Sequence, residues 1–467
     1  MGLWKELINN LPEVAGPLNK KGLSFNEKLK WTLVVLVIFF GLGMIPLFGL
    51  SENALERFEL LSVILGAKFG SIISLGIGPM VTASIVLQLL NGSGIVKFDL
   101  TSHEGKKTFQ GIQKLLSIFF ILFEGMIYVF MGGLTALAGV SPWFLVFQLF
   151  VGGVLIMLMD EVVSKWGFGS GISLFIAAGV SESLVLRAIS WIPSPTNKDV
   201  STGAIPALFQ SLSNGDTMTA ALMFTAIATT FIVFAVAVFA QSMKVEIPLS
   251  FGRVRGQGIR WPLSFMYTSN IPVILVAALL ANVQLWAKLM ENWAVGSGGK
   301  IVDFLSIYVF GQTGTAESGY GVVQWINAPN AVHALVAGSL SSSMLLHSLG
   351  YVFIMVVGSV VFSIFWVQTS GMDARSMSKQ MIASGLQLPG FRKDERVLEK
   401  VLNRYIWPLT VMGAITVGFL AAFADLSGAL SSGTGLLLTV MIVYKMYEEI
   451  AKQHMMDMNP MMRKFME

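Results

Sequence analysis

The chain has 467 residues, of which 54% are hydrophobic and only 12% are charged, with a formal net charge of +4. A soluble domain would be nearer one-quarter charged, so the composition excludes a soluble globular protein and indicates an integral membrane protein. The absence of cysteine excludes disulfides and thiolate metal sites, and the four histidines lie too far apart in sequence to favour a histidine metal site.

Ten apolar stretches are each close to the roughly 20 residues that a transmembrane helix needs. The first follows about thirty polar and amphipathic residues and is too long for the apolar part of a signal peptide, so we expect a retained helix. The predicted spans cover residues 31–50, 71–91, 112–133, 142–160, 171–192, 218–242, 269–290, 347–369, 403–424 and 431–450.

The apolar pattern is broken just before the second span. Residues 55–67 are too few to cross a bilayer and carry Glu56, Arg57 and Glu59. The stretch 74–90 that follows has a Gly-Pro pair at residues 78–79, where we expect a helix to open. Irregular backbone at membrane depth persists only where protein buries it or water lines it, because an unsatisfied peptide group in hydrocarbon costs several kcal/mol. The break therefore predicts a short re-entrant half-helix beside a cavity or pore.

The basic residues are distributed unevenly between alternate loops. If the N-terminus is cytosolic, 25 of the 31 Lys and Arg residues fall in cytosolic segments, and the positive-inside rule then predicts that both termini are cytosolic. Two cytosolic loops are long and basic. Loop 244–268 is predicted to form an exposed hairpin around Gly252, Gly256 and Gly258, and loop 370–402 is expected to enter a helix that extends into the ninth span.

Two interpretations of these loops remain open. One takes them simply as the positive-inside signal. The other takes them as a docking surface for an acidic or nucleic-acid-rich partner such as ribosomal RNA. Their length favours docking, since a topology signal needs only a few charges near helix ends. The candidate docking residues for a ribosome or motor are Arg253, Arg255, Arg260, Arg392 and Lys393.

An external linker at 193–216 divides the ten spans into five and five. Because five is odd, two halves that share a fold must insert in opposite directions. The predicted fold is an all-α integral membrane protein with ten transmembrane helices in two inverted five-helix halves, plus a short re-entrant half-helix. Its expected parts are an amphipathic cytosolic segment (1–24), an N-terminal half (25–192), the linker, a C-terminal half (217–454) and a cytosolic tail (455–467). No clear internal sequence repeat accompanies this division.

Seven motifs, in chain order, carry a family resemblance. They are SLGIGPMVTASIVLQLL (74–90), FQGIQKLLSI (109–118), DEVVSKWGFGSGISLFIAAG (160–179), VEIPL (245–249), SNIPVIL (269–275), GFRK (390–393) and GTGLLLTVMIVYKMYEE (433–449). The chain in this respect resembles the SecY family of channel subunits of the Sec protein translocon, in its archaeal form. The resemblance covers most of the chain but not the external segment 295–346, of which residues 331–346 look amphipathic.

The resemblance implies an hourglass channel, closed by a ring of aliphatic side chains, plugged from outside by the half-helix and able to open sideways to lipid. The implied pore ring is Ile77, Val81, Ile172, Ile176, Ile274 and Leu438. The implied plug, residues 55–67, presents Leu55, Phe58, Leu60, Leu61, Val63 and Leu65. Spacing alone adds that Ile77 with Val81, and Ile172 with Ile176, share a helix face, although such residues more commonly face lipid or one another.

Glu124 lies in the middle of the third apolar span. A carboxylate there costs about 2.5–3.5 kcal/mol on insertion scales, so it needs partners or a proton. The resemblance places Glu124 with Thr82 and Asn282 at a lateral gate. The alternative interpretation is an ordinary interhelical hydrogen bond.

The resemblance thus implies a protein-conducting channel that is not an enzyme, needs no cofactor and lies in the cytoplasmic membrane. Its expected partners are a SecE-like subunit, a Sec β-like subunit, a ribosome or cytosolic motor, signal sequences and nascent polypeptides, and the lipid bilayer. A secondary active transporter with inverted repeats is the alternative, though Glu124 is almost the only carboxylate at midplane depth. An intramembrane protease lacks its catalytic constellation, and neither 433–435 nor 298–300 forms a P-loop.

Overall fold

Ten long helices and several short elements make up the computed structural model, which describes residues 11–17, 23–53, 65–92, 95–96, 98, 103–193, 200–251, 258–268, 271–297, 321–383, 386–387 and 394–458. The first half contains α1 (Phe25–Gly43), β1 (Leu50–Asn53), α2 (Gly78–Gly92), α3 (His103–Phe130), β2 (Leu134–Ala136), α4 (Pro142–Trp166) and α5 (Gly171–Ile189). After α6 (Ala204–Asn214), the second half contains α7 (Thr217–Ser242), β3 (Lys244–Phe251), β4 (Gly258–Ser264), α8 (Ile271–Ser297), α9 (Val322–Ile326), α10 (Ala331–Val336), α11 (Ser342–Thr369), α12 (Ala374–Ala383), β5 (Leu386–Gln387), α13 (Glu395–Leu426) and α14 (Gly433–Met458).

Each predicted span overlaps one long helix, and five of these helices lie on either side of the linker. In the described part of the chain, seven helices are long and apolar enough to cross a membrane. The other three are α1 and α14, which carry several charged residues near one end, and α2, which is only 15 residues long. The fold is therefore an all-α membrane protein whose described residues include ten long helices, in two halves of opposite orientation.

The second span contains less helix than the sequence predicts. Residues 71–77 form buried turns, and α2 begins only at Gly78, with Pro79 in its first turn. Gly76 has a φ of 55°, a left-handed conformation that glycine tolerates and a regular helix excludes. The turns pair their own peptide groups, since the Ser74 and Gly76 amides each donate over 3.0 Å to carbonyls three residues earlier. At 1.5 Å per residue, α2 is about 22 Å long, shorter than the roughly 30 Å hydrocarbon layer.

The external linker at 193–216 contains a helix. This helix, α6, packs on α7 and ends at Gly215 in a left-handed C-cap with a φ of 75°. Asp216 follows at once and caps α7, accepting from the Thr219 amide over 3.2 Å. The two helices are joined by this short glycine turn, so the linker helix lies against the first helix of the second half.

The two long loops of the second half combine in one small sheet. Strands β3 and β4 pair antiparallel, as the hairpin prediction requires, with Lys244 opposite Ser264 and Ser250 opposite Gly258. Strand β5, which comes from loop 370–402, pairs with the other edge of β3. Helix α13 starts at Glu395, ahead of the predicted ninth span, and Asp394 caps it.

Candidate functional site: an apolar constriction between two cavities

Six aliphatic side chains that the sequence singles out belong to the large apolar core cluster of the helix bundle. Five of them are buried, with between 0% and 7% of their surface exposed, and Ile172 is partly buried and packs against them. They come from four separate parts of the chain, namely the α2 region, α5, α8 and α14. The full set is Ile77, Val81, Ile172, Ile176, Ile274 and Leu438.

Two cavities lie on opposite sides of this cluster. One, of about 490 Å³, is lined by Lys106, Lys445 and Glu449 among others, and is called here the Lys445 cavity. The second, of about 640 Å³, is lined by Gln284 and Asp425 among others, and is called the Asp425 cavity.

Two helices show that the cluster lies between the two cavities. On α14, Thr434 lines the Asp425 cavity and Ile442 lines the Lys445 cavity, with Leu438 midway between them. On α8, Ile274 lines the Lys445 cavity and Ala277 lines the Asp425 cavity. The two cavities therefore form a path through the molecule that an apolar constriction interrupts.

Thr82, Glu124 and Asn282 form one buried hydrogen-bonded group at the junction of α2, α3 and α8. The Thr82 hydroxyl lies 3.0 Å from Glu124 Oε1, and the Asn282 side-chain amide donates to Thr82 Oγ1 over 2.8 Å. Thr82 Oγ1 also lies 2.9 Å from the Gly78 carbonyl oxygen. Within the part of the chain that the structure describes, Glu124 Oε2 has no hydrogen-bond partner. The group joins the first half of the chain to the second through side chains alone.

The base of the predicted plug lies directly against the constriction. Leu65 is 0% exposed, and its carbonyl accepts from the Ile77 amide over 2.8 Å. Leu65 and Ala67 pack on Ala281, next to Asn282 on α8. A Cβ on Gly76 would lie 2.3 Å from the Leu65 carbonyl oxygen, so this close approach requires glycine. The other candidate plug residues, Leu55, Phe58, Leu60, Leu61 and Val63, lie outside the described residues.

Of the five candidate docking residues, the structure describes Arg260 alone. Its side chain is 80% exposed on β4 and pairs with Glu246 of β3 over 3.1 Å. Arg253, Arg255, Arg392 and Lys393 lie outside the described ranges. At the base of the sheet, Lys244 forms an ion pair of 3.0 Å with Glu448 of α14, and this pairing raises the Lys244 pKa.

The sequence reading missed how the N-terminal segment attaches. The Val14 amide donates to Glu161 over 2.9 Å, Glu161 also pairs with Lys114 of α3, and Lys165 reaches Glu13 over 2.6 Å. The hydrogen bond from Lys165 lowers the pKa of Glu13. Opposite charges at the ends of neighbouring spans were the available signal, but sequence alone does not show which ends are adjacent.

Comparison with known proteins supports one family. The SecY family model matches residues 71–447. The chain is 42% identical to a protein translocase subunit SecY of Methanothermobacter thermautotrophicus, over 99% of this chain and 98% of that protein. It is 39% identical to the subunit of that name from Pyrococcus furiosus, over 97% and 96% of the two chains.

Solved structures agree with the sequence comparison. A structure described as a protein conducting channel has a TM-score of 0.80 with this chain at 38% identity, and 96% of each chain is covered. The Sec61 chain of a canine ribosome–channel complex from the endoplasmic reticulum has a TM-score of 0.77 at 37% identity, with the same coverage. The chain belongs to the SecY family.

Proposed function

We propose that the chain is a protein-conducting channel that passes unfolded secretory polypeptides across the cytoplasmic membrane and releases transmembrane segments sideways into it. The observation that carries this proposal is that all six aliphatic side chains lie in one apolar core between two cavities, with Val81, Ile172 and Ile274 lining one of those cavities. Family membership supports it, because a related solved structure is described as a protein conducting channel.

The six side chains act as a pore ring. An aliphatic constriction offers a passing chain no strong binding partner, whereas a ring of carbonyls or carboxylates would bind ions. It excludes water when closed and adapts its packing around whichever side chain passes through. The seal of the resting channel therefore depends on apolar contact at Ile77, Ile274 and Leu438 and at the other three positions.

Thr82, Glu124 and Asn282 act as the clasp of a lateral gate. Their hydrogen bonds connect α2 and α3 to α8, so separating the two halves at this seam breaks them. An interhelical hydrogen bond in a membrane contributes only about 0.6 kcal/mol on average, which suits a seam that must open repeatedly. A signal segment would enter between these helices and partition into lipid according to its apolarity.

Residues 55–67 act as the plug, which rests on the ring through Leu65. The contact is a backbone hydrogen bond to Ile77 together with apolar packing on Ala281, next to the clasp. Lifting the plug therefore removes support from the ring and from the gate helix α8 at once.

Both termini are cytosolic in this assignment, and the β3–β4–β5 sheet projects toward the cytosol. Its exposed Arg260, with Arg253, Arg255, Arg392 and Lys393, forms the docking surface for a ribosome or a cytosolic motor. A related Sec61 has been solved in a ribosome–channel complex, which supports the ribosome as a partner. A SecE-like subunit and a Sec β-like subunit complete the assembly, and the energy for transport comes from the bound partner, because the chain itself is not an enzyme.

The transporter alternative is not favoured by the position of Glu124. A coupling carboxylate should border a path that is open to water. Glu124 instead lies buried against Thr82 and is not among the residues that line the Lys445 cavity or the Asp425 cavity. Asp425 does line a cavity, but both of its oxygens accept hydrogen bonds from Thr434 and Tyr351, which favours a structural role.

Site-specific photo-crosslinking tests the channel directly. A photoreactive amino acid replaces Leu438 in the constriction, and in a matched variant it replaces Phe353 of α11, which is 68% exposed on the outer surface. Reconstituted channels then receive a secretory chain stalled in transit. We expect crosslinks from position 438 that depend on a functional signal sequence, and none from position 353. Equal crosslinking at both positions would contradict a path through the constriction.

A further inference from the structure

We propose that Asp160 and Asp425 are a symmetry-related pair of positioning residues that set the depth of the constriction, one from each half of the chain. The proposal rests on the proposed function, because it takes Ile176 and Leu438 as members of the pore ring. Neither aspartate lies in the ring. Each acts through the first turn of the helix that carries a ring residue.

The two aspartates make equivalent hydrogen bonds. Asp160 Oδ1 accepts from the Ile172 amide over 2.9 Å, and Asp425 Oδ1 accepts from the Thr434 amide over 2.7 Å. In both cases the aspartate lies on the fourth span of its half, and the donor is the second residue of the fifth span. A carboxylate at this place satisfies an amide that has no partner within the helix and complements the positive end of the helix dipole.

These bonds do not come from the usual local cap. Ser170, the N-cap residue of α5, makes no side-chain capping bond to the described first turn. The capping side chain is supplied by α4 instead, so the start of α5 is fixed relative to a neighbouring span. Asp425 is itself held, because the Tyr351 hydroxyl of α11 donates to its Oδ2 over 2.7 Å and the Thr434 hydroxyl donates to the same oxygen.

Both fifth spans also begin with a glycine pressed against the preceding span. A Cβ on Gly171 would lie 2.5 Å from the Asp160 Cα, and a Cβ on Gly433 would lie 2.3 Å from the Asp425 amide nitrogen. Contacts this short with backbone atoms leave no room for a side chain. Hydrogen bond and close approach together fix where each helix starts.

The start of each helix sets the place of its ring residue. Residues 170–176 read SGISLFI and residues 432–438 read SGTGLLL. Both segments begin with Ser-Gly, and both have a leucine three residues after the glycine and an aliphatic residue five residues after it. The first helical bonds match as well: Leu174 donates to the Ser170 carbonyl over 3.0 Å, and Leu436 donates to the Ser432 carbonyl over 2.8 Å. Ile176 and Leu438 are the final residues of these repeats, each about 7.5 Å along the axis from its capped glycine.

The two helices meet at the level of these residues. They pack side by side in opposite directions, and Val180 Cγ2 of α5 lies 3.1 Å from the position of a Cβ on Gly435 of α14. Four residues back along α5 from Val180 is Ile176, and four residues forward along α14 from Gly435 is Thr439, the neighbour of Leu438. Asp160 caps α5 at the end near the Lys445 cavity, and Asp425 caps α14 at the end near the Asp425 cavity. The two caps thus bring Ile176 and Leu438 to the same depth.

Cysteine labelling measures that depth, because the natural chain contains no cysteine. Ile176→Cys and Leu438→Cys are made separately, and reaction with a water-soluble maleimide is timed in the reconstituted channel. We expect Asp160→Ala to raise the labelling rate at position 176 and Asp425→Ala to raise it at position 438. The rise should be about fivefold, the change that loss of one helix cap makes in a local equilibrium.

Two sets of controls separate positioning from general loss of structure. Asp160→Asn and Asp425→Asn keep an oxygen acceptor and should label as slowly as the parent. Asp216→Ala removes the cap of α7, which carries no ring residue, and should also leave the labelling of both ring positions unchanged. A reporter in a separate apolar cluster, Leu149→Cys, should stay unreactive in every variant.

Unchanged labelling rates in both alanine variants would overturn the proposal. So would a rise in the labelling of the Leu149→Cys reporter as large as the rise at positions 176 and 438. If an alanine variant does not assemble, Asp160→Glu and Asp425→Glu move the acceptor by one methylene and must raise labelling in the same way.

The ring itself is tested separately, by the conductance of Ile176→Asn and Leu438→Asn in planar bilayers. No added conductance there would refute the ring, whereas added conductance without any labelling change in the aspartate variants would refute positioning alone.

Discussion

The side-chain amide of Asn282 donates to the hydroxyl of Thr82 over 2.8 Å, across 200 positions of sequence. Thr82 belongs to α2 in the first half and Asn282 belongs to α8 in the second, so the bond spans the seam between the halves. Thr82 in turn contacts Glu124, whose second oxygen has no partner in the described structure. A polar group this small holds the seam weakly, and its removal should favour opening.

Replacing Asn282 by Leu should lower the threshold for opening. Loss of one interhelical hydrogen bond of about 0.6 kcal/mol should raise the open population roughly threefold. The measurement is transport of a secretory protein with a weakened signal sequence, compared with the same protein carrying an intact one. Gln284→Leu is the matched control, since Gln284 is on the same helix but donates to the Ile326 carbonyl over 3.2 Å. Equal gains in both variants would argue against a clasp at Asn282.

Replacing Ile77, Ile172 and Ile274 together by Asn should make the closed channel conduct ions. Amide side chains give water the hydrogen-bond partners that the apolar ring withholds, so the constriction becomes wet. Single-channel recording of the purified variant in planar bilayers measures this, with the Ile→Val triple variant as an apolar control that should stay closed. A folded Asn variant that conducts no more than the natural protein would mean that these side chains do not line the pore.

Gly76→Ala should loosen the seat of the plug. The added Cβ would meet the Leu65 carbonyl oxygen at 2.3 Å and displace the Leu65–Ile77 backbone bond, so ion leakage should rise. Deletion of residues 57–67 should raise leakage or relax the signal requirement for the same reason. Gly132→Ala is the matched control: its φ of 74° imposes a similar strain, of about 1–2 kcal/mol, but a Cβ there meets no described atom within 4 Å. Leakage from both alanine variants alike would point to backbone strain rather than to the plug.

Charge reversal on the sheet should weaken docking without impairing the pore. Arg260→Glu, Arg255→Glu and Arg392→Glu should each reduce binding of ribosomes or a motor, most clearly at low salt, because exposed charges are screened over about 8–10 Å. Passage of a chain that is already inserted should be unchanged. Glu246→Gln is the control, since it removes the partner of Arg260 while keeping the positive charge, and an exposed pair of this kind contributes little to stability. If all three variants bind ribosomes and motors as tightly as the natural protein does, the basic loops would be explained by the positive-inside signal alone.

Much of this architecture follows from the sequence, for physical reasons. Ten apolar stretches of bilayer length predict ten helices, and each predicted span overlaps one of them. The hairpin follows from strand-like residues on either side of the glycines in loop 244–268. The candidates for the ring and the clasp came from motif resemblance. The structure joins the three clasp residues by hydrogen bonds and places the six ring candidates in one large apolar core, and their roles stay predictions until they are measured.

Other features depend on contacts that sequence does not display. The start of α2 at Gly78 reflects the carbonyl of Leu65 pressing on Gly76, and hydropathy is blind to this contact. Strand β5 is only two residues long and forms because β3 offers a free edge. The Ser-Gly repeat before Ile176 and Leu438 is too short and too varied to stand out until the two aspartates are seen to make the same bond.

The three-stranded sheet connects the two long loops to the helices α14 and α8. Strand β3 is bonded on both edges, so the hairpin and the strand from the next loop are joined in one sheet. At its base, Lys244 is tied to Glu448 on α14, and β4 leads within a few residues into α8, which carries Asn282. We therefore expect a load applied to this sheet to reach α14 and α8, two of the helices that carry candidate ring residues, so that binding at the sheet and opening at Asn282 would be coupled.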